Sequence, residues 1–488
     1  VVERYACVVE PMSDSLLFNR KYDKTAPTKY VYDEQDRIVS VTLPDGAVTT
    51  YEYSIVNNKP TTVSTDGNGH RTITQTNADG QTLSVTKHTE DSDITTKYVY
   101  DAIGQLSTVT DAEGNTTRYT YDMSGRMLGV SHPLIGETRY TYDLCGNLTS
   151  KQTPNLIAEG KRIEYAYDYG RITGIRYPNN PQNNVRYVYG DAEANNNTRA
   201  RIAFIEDASG VTAYTYGNSG EVVQTVRSMN VPTVTEAMTF TTHFAYDALN
   251  RPLSVTYPDG ERVVYHYDRG GRLQSVGGSK TADQHETVSY AERIGYDKEG
   301  RRSLLRHGNG ATTSYAYDVN RRLQRRQLSV GDSTISDATY RYDRAGNIQT
   351  IADPFGTTHA YTYDALDRLV SATGTHLQNK ASYRTEMSYD DLFRITRKSQ
   401  SVRQKDVQFG GVVNAKYDLA YHYDGYRLDT LTDISHRTDT LFSHTRVDRR
   451  TCEYDRNGNP TVERRTRLRG NGASDTLPPR TLSWDEEN

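Results

Sequence analysis

The sequence lacks the features that mark a membrane protein, a disulfide-stabilised domain or a nucleic-acid-binding domain. Its 488 residues include only three cysteines, Cys7, Cys145 and Cys452, which are too scattered for a disulfide framework. No run of residues approaches the ~18–20 apolar positions of a transmembrane helix. Acidic and basic residues are interspersed and the net charge is −4, so no basic stripe is available for nucleic acid. We therefore expect no nucleic-acid partner and no membrane span in these residues.

Aromatic variety and apolar content are also low. The chain has 39 Tyr but only 8 Phe and 1 Trp, and 35% of its residues are hydrophobic. With the 36 Gly included the share is about 42%, below the roughly 45–50% of typical soluble domains. A tyrosine ring packs against neighbours while its hydroxyl reaches water or a backbone group. The composition favours a thin, hydrated sheet over a compact core.

A Tyr-Asp dipeptide is present throughout and returns about every 21 residues. Copies begin at Tyr32, Tyr100, Tyr121, Tyr142, Tyr246, Tyr267, Tyr296, Tyr317, Tyr342 and Tyr363. Self-similarity at a fixed period indicates a repeat architecture, in which neighbouring units stack because one unit cannot bury its own apolar face. No sustained helical periodicity competes with this pattern. The chain is therefore predicted to be one long array.

Each unit is predicted to contain two strands and two turns. Tyr119 and Tyr121 are two residues apart and share one face of a strand. Asp122 opens a turn whose backbone N–H groups its side chain can bind, and Gly125 supplies the positive φ that closes the turn. Leu128 is assigned the second apolar contact, on the strand that follows. We call this first turn the YD turn and the second one the return turn; clear return turns are Pro44-Asp45-Gly46, residues 111–115 and Pro258-Asp259-Gly260.

The array is assigned to residues 28–488, preceded by an irregular lead-in at residues 1–27 in which Tyr22-Asp23 is interpreted as a frayed copy. Later units are longer, and their surplus, such as Lys398–Lys416, predicts extended hairpins or surface loops. Trp484-Asp485 opens a unit whose return strand is missing. We therefore expect the array to be truncated within a repeat at its C-terminus.

The phrase Y-D-x-x-G-R-L resembles the YD repeat of the RHS family. Clear matches are residues 121–128, 267–273 and 363–369, and the resemblance covers essentially all of residues 28–488. It implies an all-β fold: tandem YD-repeat hairpins form a spiralling single-layer β-sheet ribbon, part of a hollow RHS shell. Bacterial members commonly enclose a C-terminal toxin domain, and animal relatives act in adhesion. The lack of disulfides and the repeat style resemble the bacterial branch.

The resemblance also implies a self-cleaving region with two D-P-x-G segments at the end of a toxin-carrying shell. This chain has one such string, Asp353-Pro354-Phe355-Gly356, at a position where a return turn is expected. It is interpreted as a turn. Cleavage and cargo are expected beyond residue 488.

An estimate of size predicts how far the ribbon coils. About 19 repeats of two strands at ~4.8 Å per strand give a ribbon of roughly 180 Å. A cargo of ~130 residues has a radius of gyration near 14 Å. A shell around it is expected to need a radius of about 25–30 Å. The ribbon is then expected to make about one turn, as an open spiral with exposed strand edges at both ends.

No catalytic, cofactor-binding or metal-binding residues are expected. The 12 His are dispersed, and His266 is interpreted as structural. Turns at Asp66–Gly69 and Asp455–Asn459 are interpreted as turn chemistry rather than calcium sites. Cys145 occupies a turn with no evident neighbouring base, and Gly67-Asn68-Gly69 and Gly308-Asn309-Gly310 are hairpin turns rather than phosphate loops.

The sequence therefore predicts a non-enzymatic structural shell segment that encapsulates and delivers a C-terminal toxin domain, secreted or at the bacterial cell surface. Its expected partners are the toxin cargo outside this chain and its secretion machinery. The alternative is a cell-surface adhesion module that binds carbohydrate or protein. Exposed tyrosine faces could stack on sugar rings, although packing along the ribbon is the competing use of the same rings.

Overall fold

The chain folds almost entirely into β-strands. The computed structural model describes residues 2–4, 27–191, 196–231, 237–281, 287–376, 380–407, 411–438, 443–469 and 473–487. These residues form thirty-nine strands, one short α-helix, α1 (Pro154–Glu159), and one 3-10 helix (Pro181–Asn183). Within them, no helix combines the length and the apolar character needed to cross a membrane.

The strands follow one another at short intervals. The first thirteen are β1 Val2–Arg4, β2 Thr28–Tyr32, β3 Ile38–Thr42, β4 Val48–Val56, β5 Lys59–Thr65, β6 Arg71–Thr76, β7 Thr82–His88, β8 Asp93–Tyr100, β9 Leu106–Thr110, β10 Thr116–Tyr121, β11 Met127–His132, β12 Gly136–Tyr142 and β13 Leu148–Gln152. The next thirteen are β14 Ile163–Asp168, β15 Arg171–Arg176, β16 Val185–Tyr189, β17 Ile202–Asp207, β18 Gly210–Tyr216, β19 Val222–Met229, β20 Met238–Tyr246, β21 Pro252–Thr256, β22 Arg262–Tyr267, β23 Leu273–Ser279, β24 Val288–Tyr296, β25 Arg302–His307 and β26 Ala311–Tyr317. The last thirteen are β27 Leu323–Val330, β28 Ser333–Tyr342, β29 Ile348–Asp353, β30 Thr357–Tyr363, β31 Leu369–His376, β32 Ala381–Tyr389, β33 Ile395–Val407, β34 Gly411–Asp424, β35 Arg427–Thr438, β36 Ser443–Tyr454, β37 Pro460–Leu468, β38 Ser474–Thr476 and β39 Arg480–Thr481.

All the strands belong to one open antiparallel sheet. Each strand from β1 to β37 pairs with the next one in sequence, and both β38 and β39 pair with β37. Within the described ranges, extensive contacts join only sequential strands, β37 with β39, and α1 with β12 and β13, so no second layer covers either face. The predicted all-β, single-layer ribbon of tandem hairpins is confirmed.

The YD turn forms as its residues predict. Asp122 Oδ1 accepts the backbone N–H of Ser124 at 2.9 Å and of Arg126 at 3.0 Å. The N–H of Gly125 reaches the carbonyl of Asp122 at 3.0 Å, and Gly125 has φ +82°. Because a residue with a Cβ is strained there, glycine closes the turn at least cost.

A β-bulge flanks most of the YD turns, and the sequence pattern did not reveal it. Tyr121 pairs with Met127, whereas Thr120 pairs with Gly129, which leaves Leu128 as the extra residue. The same shift recurs at Ala245/Tyr246 and Thr362/Tyr363. The assignment of Leu128 to the second apolar contact is therefore wrong, since the bulge turns it outward and leaves it 38% exposed. Bulges increase local twist, which favours coiling of the ribbon.

The register staggers by two residues per repeat. Thr120 aligns with Gly129, and Gly129 aligns with Arg139. The residue equivalent to Thr120 one 21-residue period later is Thr141, so the alignment falls two residues short of it. The β20–β21–β22 set shows the same offset, from Ala245 through Ser254 to Val264. At ~3.3 Å per residue and ~4.8 Å per strand, the strands tilt by about 35°.

The ribbon makes more than one turn, so the expectation of about one turn is wrong. The return turn between β3 and β4 touches the YD turn between β26 and β27, because Asp45 Oδ2 lies 3.0 Å from Arg322 Nη2. Twenty-three strands lie between these turns. They span about 110 Å perpendicular to the strands. Because the strands are tilted, the circumference of the coil is about 135 Å. The radius is then about 21 Å rather than 25–30 Å, and the chain has enough strands for a second coil.

The longest hairpins lie near the C-terminus. β33 and β34 extend over Ile395–Val407 and Gly411–Asp424 and pair along most of their length. The predicted surplus at Lys398–Lys416 is therefore an extended hairpin, as expected. In the lead-in, Val2–Arg4 adds a strand to β2, whereas Tyr22-Asp23 lies outside the described residues.

Candidate functional site

The consensus Y-D-x-x-G-R forms a ladder along the edge of the ribbon that carries the YD turns. The arginine four residues after the aspartate donates its Nε–H to the second carboxylate oxygen, as from Arg126 to Asp122 at 2.6 Å and from Arg368 to Asp364 at 2.6 Å. The guanidinium then lies over the tyrosine ring of the next repeat, with Arg126 5.1 Å from the Tyr142 centroid. Each such cation–π contact contributes about 0.5–1 kcal/mol at an exposed site. Further pairs are Arg37–Tyr53, Arg171–Tyr189, Arg201–Tyr216, Arg251–Tyr267, Arg272–Tyr296, Arg301–Tyr317, Arg322–Tyr342, Arg368–Tyr389, Arg394–Tyr423 and Arg427–Tyr454.

In most units the tyrosine also reaches back to the preceding unit. The Tyr121 hydroxyl donates to the Leu106 carbonyl at the start of β9, at 3.0 Å. Tyr53, Tyr216, Tyr267, Tyr296, Tyr317, Tyr342, Tyr363, Tyr389, Tyr423 and Tyr454 make the equivalent bond. At the last unit, the indole N–H of Trp484 takes this place and donates to the Pro460 carbonyl at 2.7 Å. Tyrosine is therefore required for its hydroxyl as well as for its ring.

The electrostatics of the ladder keep the tyrosine hydroxyl protonated and the aspartate carboxylate ionised, as the hydrogen bonds require. Burial raises the pKa of Tyr454 to about 12, so its hydroxyl remains a donor at neutral pH. The hydrogen bonds from the backbone and side chain of Arg126 lower the pKa of Asp122. The carboxylate therefore stays ionised and accepts both bonds.

The two coils meet along a seam, which we define as the contact between return turns of residues 45–180 and YD turns of residues 320–487. The contacts between these turns join residues separated by 275–310 positions, and Lys151 on β13 also reaches Glu487, 336 positions away. They run in order from Asp45 with Asn320 and Arg322, through Asn68 with Asp343, Ser92 with Asp391, Glu113 with Arg394 and Leu134 with Arg427, to Asn155 with Asp455 and Asn180 with Glu486. The seam holds the two coils edge to edge over this length.

The seam is most buried at α1. Asn457 Oδ1 accepts the backbone N–H of Asn155 at 2.8 Å, and Asn457 Nδ2 lies 3.3 Å from Thr153 Oγ1. Asn155 Nδ2 donates to Asp455 Oδ2 at 3.0 Å. Leu156 is 1% exposed and Ile163 is fully buried. Here a return turn becomes a short helix that inserts apolar side chains beside a polar contact between the coils.

The seam ends at a buried carboxylate. Glu486 Oε1 accepts the backbone N–H groups of Asn179 and Asn180, both at 2.8 Å, and Oε2 accepts the Asn180 side-chain amide at 2.9 Å. Burial alone would raise the pKa of Glu486, but the donors from Asn179 and Asn180 outweigh it and lower the pKa. The contact therefore requires the ionised carboxylate.

A second buried carboxylate joins the last long strands. Asp448 is 1% exposed and its Oδ2 lies 2.7 Å from Arg446 Nε, with Arg465 on the same oxygen and Arg467 Nε 3.3 Å from Oδ1. Burial opposes ionisation, but hydrogen bonds from Arg446 and Arg465 hold the pKa of Asp448 at about 2. This group links β36 to β37.

The structure also locates the residues singled out from sequence. Asp353-Pro354-Phe355-Gly356 is the return turn between β29 and β30, with the Phe355 N–H on Asp353 Oδ1 at 2.8 Å, so its interpretation as a turn is confirmed. The Gly67-Asn68-Gly69 and Gly308-Asn309-Gly310 strings are hairpin turns, as expected.

The remaining candidates are dispersed. Asp455 accepts the Asn459 N–H at 2.9 Å and two side-chain amides, as in a turn. His266 lies exposed on β22, Cys145 lies exposed in a YD turn, and Cys7 lies outside the described residues. The structure does not bring the described ones, Asp455, His266 and Cys145, together.

Reasoning from the sequence missed the seam. Asn155, Asn180 and Asn457 lie in turn-like sequences where asparagine is common, and Glu486 is one of many acidic residues in the chain. Their partners are about 300 residues away, so no local signal marks them. The one available clue was the ribbon length compared with the circumference, and the assumed radius was too large.

Comparisons with known proteins agree with this architecture. The family model described as RHS Repeat matches residues 32–71, 100–134, 233–262, 246–282 and 342–376. Toxin subunit YenC1 of Yersinia entomophaga is 28% identical over 158 residues, covering 29% of this chain and 16% of that protein. Teneurin-m of Drosophila melanogaster is 33% identical over 120 residues, covering 24% of this chain and 4% of that protein.

Solved structures share the fold. The crystal structure of TcdB2-TccC3-Cdc42 superposes with a TM-score of 0.67 at 17% identity, over 92% of this chain and 27% of that one. The Photorhabdus luminescens Tc holotoxin pore gives 0.68 at 14% identity, over 92% and 30%. The chain thus spans less than a third of the proteins it matches. The fold is an open, coiled ribbon of YD hairpins, and the segments that the family model matches are RHS repeats (YD repeats).

Proposed function

We propose that this chain is a non-enzymatic segment of an RHS shell that encloses and delivers a toxic C-terminal domain. The observation that carries the proposal is the seam. A ribbon whose second coil seals onto its first encloses space, and the ladder supplies that wall with regular, hydrogen-bonded edges. The similarity to a Yersinia entomophaga toxin subunit supports the same role. In this proposal the partners are the cargo and its secretion machinery, and the product is secreted or held at the bacterial surface.

The first test is the reading frame beyond Asn488. The proposal expects further YD repeats followed by a short, unrelated domain. A stop or an anchor soon after the last repeat would overturn it. If a cargo domain is present, limited proteolysis of the full-length product should leave that domain protected while a detached copy is digested. Equal digestion of both would show that the ribbon does not enclose it.

A cell-surface binding module is the second candidate, favoured by one depression on the sheet. Tyr340, Tyr361, His359, Phe355 and Lys380 line a groove of ≈ 770 Å³ around the Asp353 return turn. Aromatic and basic side chains together suit a saccharide with an acidic group. Saturable glycan binding that Tyr361→Ala abolishes would favour this module over the shell. Unchanged binding in that variant would remove the groove from consideration.

We also propose the division of the chain into a lead-in at residues 1–27 and a repeat array at residues 28–488. The support is that the regular hairpins begin with β2 at Thr28. A fragment that starts at residue 28 should fold with the same thermal midpoint as the full chain, apart from the strand that β1 adds to β2.

A further inference from the structure

Three turns converge at one point on the seam. The return turn at residues 66–70 packs against the YD turn at residues 343–347, where a Cβ at Gly67 would lie 2.7 Å from the Arg344 carbonyl oxygen. Asn68 Nδ2 donates to Asp343 Oδ2 at 3.1 Å across this contact. Asn347 Nδ2 in turn donates to Asp367 Oδ1 at 2.6 Å. The next YD turn, at residues 364–368, is thereby held at the same place.

These turns bring together one imidazole and two carboxylates. A ligand atom from each of Asp66, His70 and Asp367 lies within 4.8 Å of the other two. Asp66 Oδ1 is engaged by the backbone N–H groups of Asn68 and His70 at 2.9 and 2.8 Å. Its other oxygen, Oδ2, lies 3.2 Å from His70 Nδ1. Asp66 and His70 come from the first coil, and Asp367 comes from the second.

The histidine nitrogen is unsatisfied. Among the described residues, His70 Nδ1 is a buried atom without a hydrogen bond. Asp66 Oδ2 lies 3.2 Å away but does not form one. In the equivalent return turn at residues 111–115, the same position is Asn115, whose amide donates to Asp111 Oδ2 at 3.0 Å. His70 therefore places a ring nitrogen without a hydrogen bond where Asn115 has a hydrogen-bonded amide. A buried polar atom without a partner commonly indicates a bound ion or water.

The local charge also lacks a counterion. Within the described ranges, neither Asp66 nor Asp367 pairs with a lysine or an arginine. Arg368, the nearest arginine in sequence, is committed to Asp364 Oδ2 at 2.6 Å and to the Asp390 carbonyl at 2.9 Å. Asp343 already accepts the amides of Asn68 and Asn347. Two carboxylates therefore face the imidazole with no permanent cation between them.

We propose that Asp66, His70 and Asp367 bind a first-row divalent metal ion of the Zn²⁺ type, which fastens the first coil to the second. Imidazole nitrogen with carboxylate oxygens is a ligand set that Zn²⁺ accepts at about 2.0–2.2 Å. The three ligand atoms already lie within 4.8 Å of one another, so side-chain rotation would bring them onto one ion, and water would complete the coordination. Calcium is disfavoured because it requires six to eight oxygen ligands.

The test uses two variants that copy residues found elsewhere in the chain. His70→Asn reproduces Asn115 of the 111–115 turn. Asp367→Asn reproduces Asn250, which has φ +59° where Asp367 has φ +60°. Both variants should therefore fold, with metal-free thermal midpoints close to that of the wild type. The control is His88→Asn, because His88 faces Asp93 at 2.5 Å within one coil and belongs to no cluster of three possible metal ligands among the described residues.

The chain is stripped with a chelator, desalted and titrated calorimetrically with ZnCl₂. The wild type and His88→Asn should bind one ion per chain at this site, and binding should raise the thermal midpoint by a few °C. His70→Asn and Asp367→Asn should each weaken binding on the order of 10–100-fold and lose the thermal shift.

Several outcomes would overturn the proposal. An absence of zinc binding by the wild type would dismiss the site, whatever the variants do. Undiminished binding by His70→Asn would place the metal elsewhere. Loss in His70→Asn but not in Asp367→Asn would confine the site to one coil. An equal thermal shift with CaCl₂ would contradict the metal class.

Discussion

Two nearly identical hexapeptides, at residues 246–251 and 363–368, differ at only one position, where Asn250 stands in the first and Asp367 in the second. Their turns agree closely. In both, the aspartate Oδ1 accepts two backbone N–H groups at 2.9–3.0 Å, and Oδ2 accepts the arginine Nε at 2.6 Å. Yet Leu249 is 74% exposed, whereas Leu366 is half-buried. The local structure is the same and the surroundings are not.

The difference shows what the seam adds. The YD turn at 363–368 belongs to the second coil, beside the return turn that carries Asp66 and His70. The YD turn at 246–251 makes no seam contact within the described residues. The residues of each repeat form the YD turn whether or not another turn lies beside it. The coiling of the ribbon decides which YD turns are covered by a return turn of the other coil. Changes at covered positions should therefore cost more than the same changes at uncovered ones.

The largest expected effect is at α1. Leu156→Ala should lower the free energy of unfolding by about 2–5 kcal/mol, because it leaves a cavity around a side chain that is 1% exposed. Leu249→Ala, on an uncovered YD turn, should stay within about 0.5 kcal/mol of the wild type. Urea unfolding followed by circular dichroism measures both. Similar losses in the two variants would show that covering the turns contributes little.

An intermediate effect is expected at Glu486, and it depends on pH. The pKa of Glu486 is lowered in the folded chain, so its stabilisation is complete above the unfolded pKa of about 4.3 and is lost as pH falls through the lower, folded value. At pH 7, Glu486→Gln should cost about 1–2 kcal/mol, since charge-assisted hydrogen bonds are replaced by neutral ones. The stabilities of variant and wild type should converge as the pH falls through the lowered pKa of Glu486 in the folded chain.

Glu34→Gln is the matched control, because Glu34 follows Asp33 as Glu486 follows Asp485, but on an exposed turn. Its stability should track the wild type at every pH. A Glu486→Gln curve that runs parallel to the wild type down to pH 3 would contradict the role of the ionised carboxylate. Thermal unfolding at closely spaced pH values provides the comparison.

The smallest expected effect is at Asp45, which opens the seam. Asp45 and Asp259 occupy the same Pro-Asp-Gly return turn and each caps it with a 3.0 Å bond to a backbone N–H. Only Asp45 pairs with an arginine of the other coil, Arg322, at 3.0 Å. Asp45→Asn should cost about 0.5 kcal/mol at low ionic strength and less in 1 M salt.

The control, Asp259→Asn, should cause no salt-dependent loss, because the amide oxygen can still accept the capping bond. Thermal midpoints at two salt concentrations are sufficient for both variants. A salt-dependent loss that is equal in both would locate the effect in the turn itself rather than in the seam.

Much of the fold could be predicted from the sequence because its determinants lie within one repeat. The Tyr119–Tyr121 spacing, the Asp122 cap and the positive φ of Gly125 each depend on neighbours a few residues away. The β-bulge at Leu128 could not be predicted, since a one-residue shift leaves the apolar pattern of the strand almost unchanged. The number of coils was predicted wrongly because it depends on the circumference of one coil. Strand tilt and curvature set that circumference, and they follow from the strand register, which cannot be read from the repeat length.

The candidate site could be predicted only in part. The ladder of aspartate, arginine and tyrosine is present in the consensus, although the stacking of Arg126 on Tyr142 was not anticipated. The seam and the Asp66–His70–Asp367 cluster join residues about 300 positions apart. Nothing in either segment alone identifies the other.

The sequence by itself determined that the chain is an antiparallel ribbon of YD hairpins, because turn geometry and the two-residue side-chain period are local properties. Only the tertiary structure decided which edge of the ribbon meets which, where α1 and Glu486 become buried and where the side chains of Asp66, His70 and Asp367 meet. The physical reason is that small staggers and bulges accumulate over twenty-three strands into one circumference. Contacts across the seam depend on that accumulated sum, and no single repeat contains it.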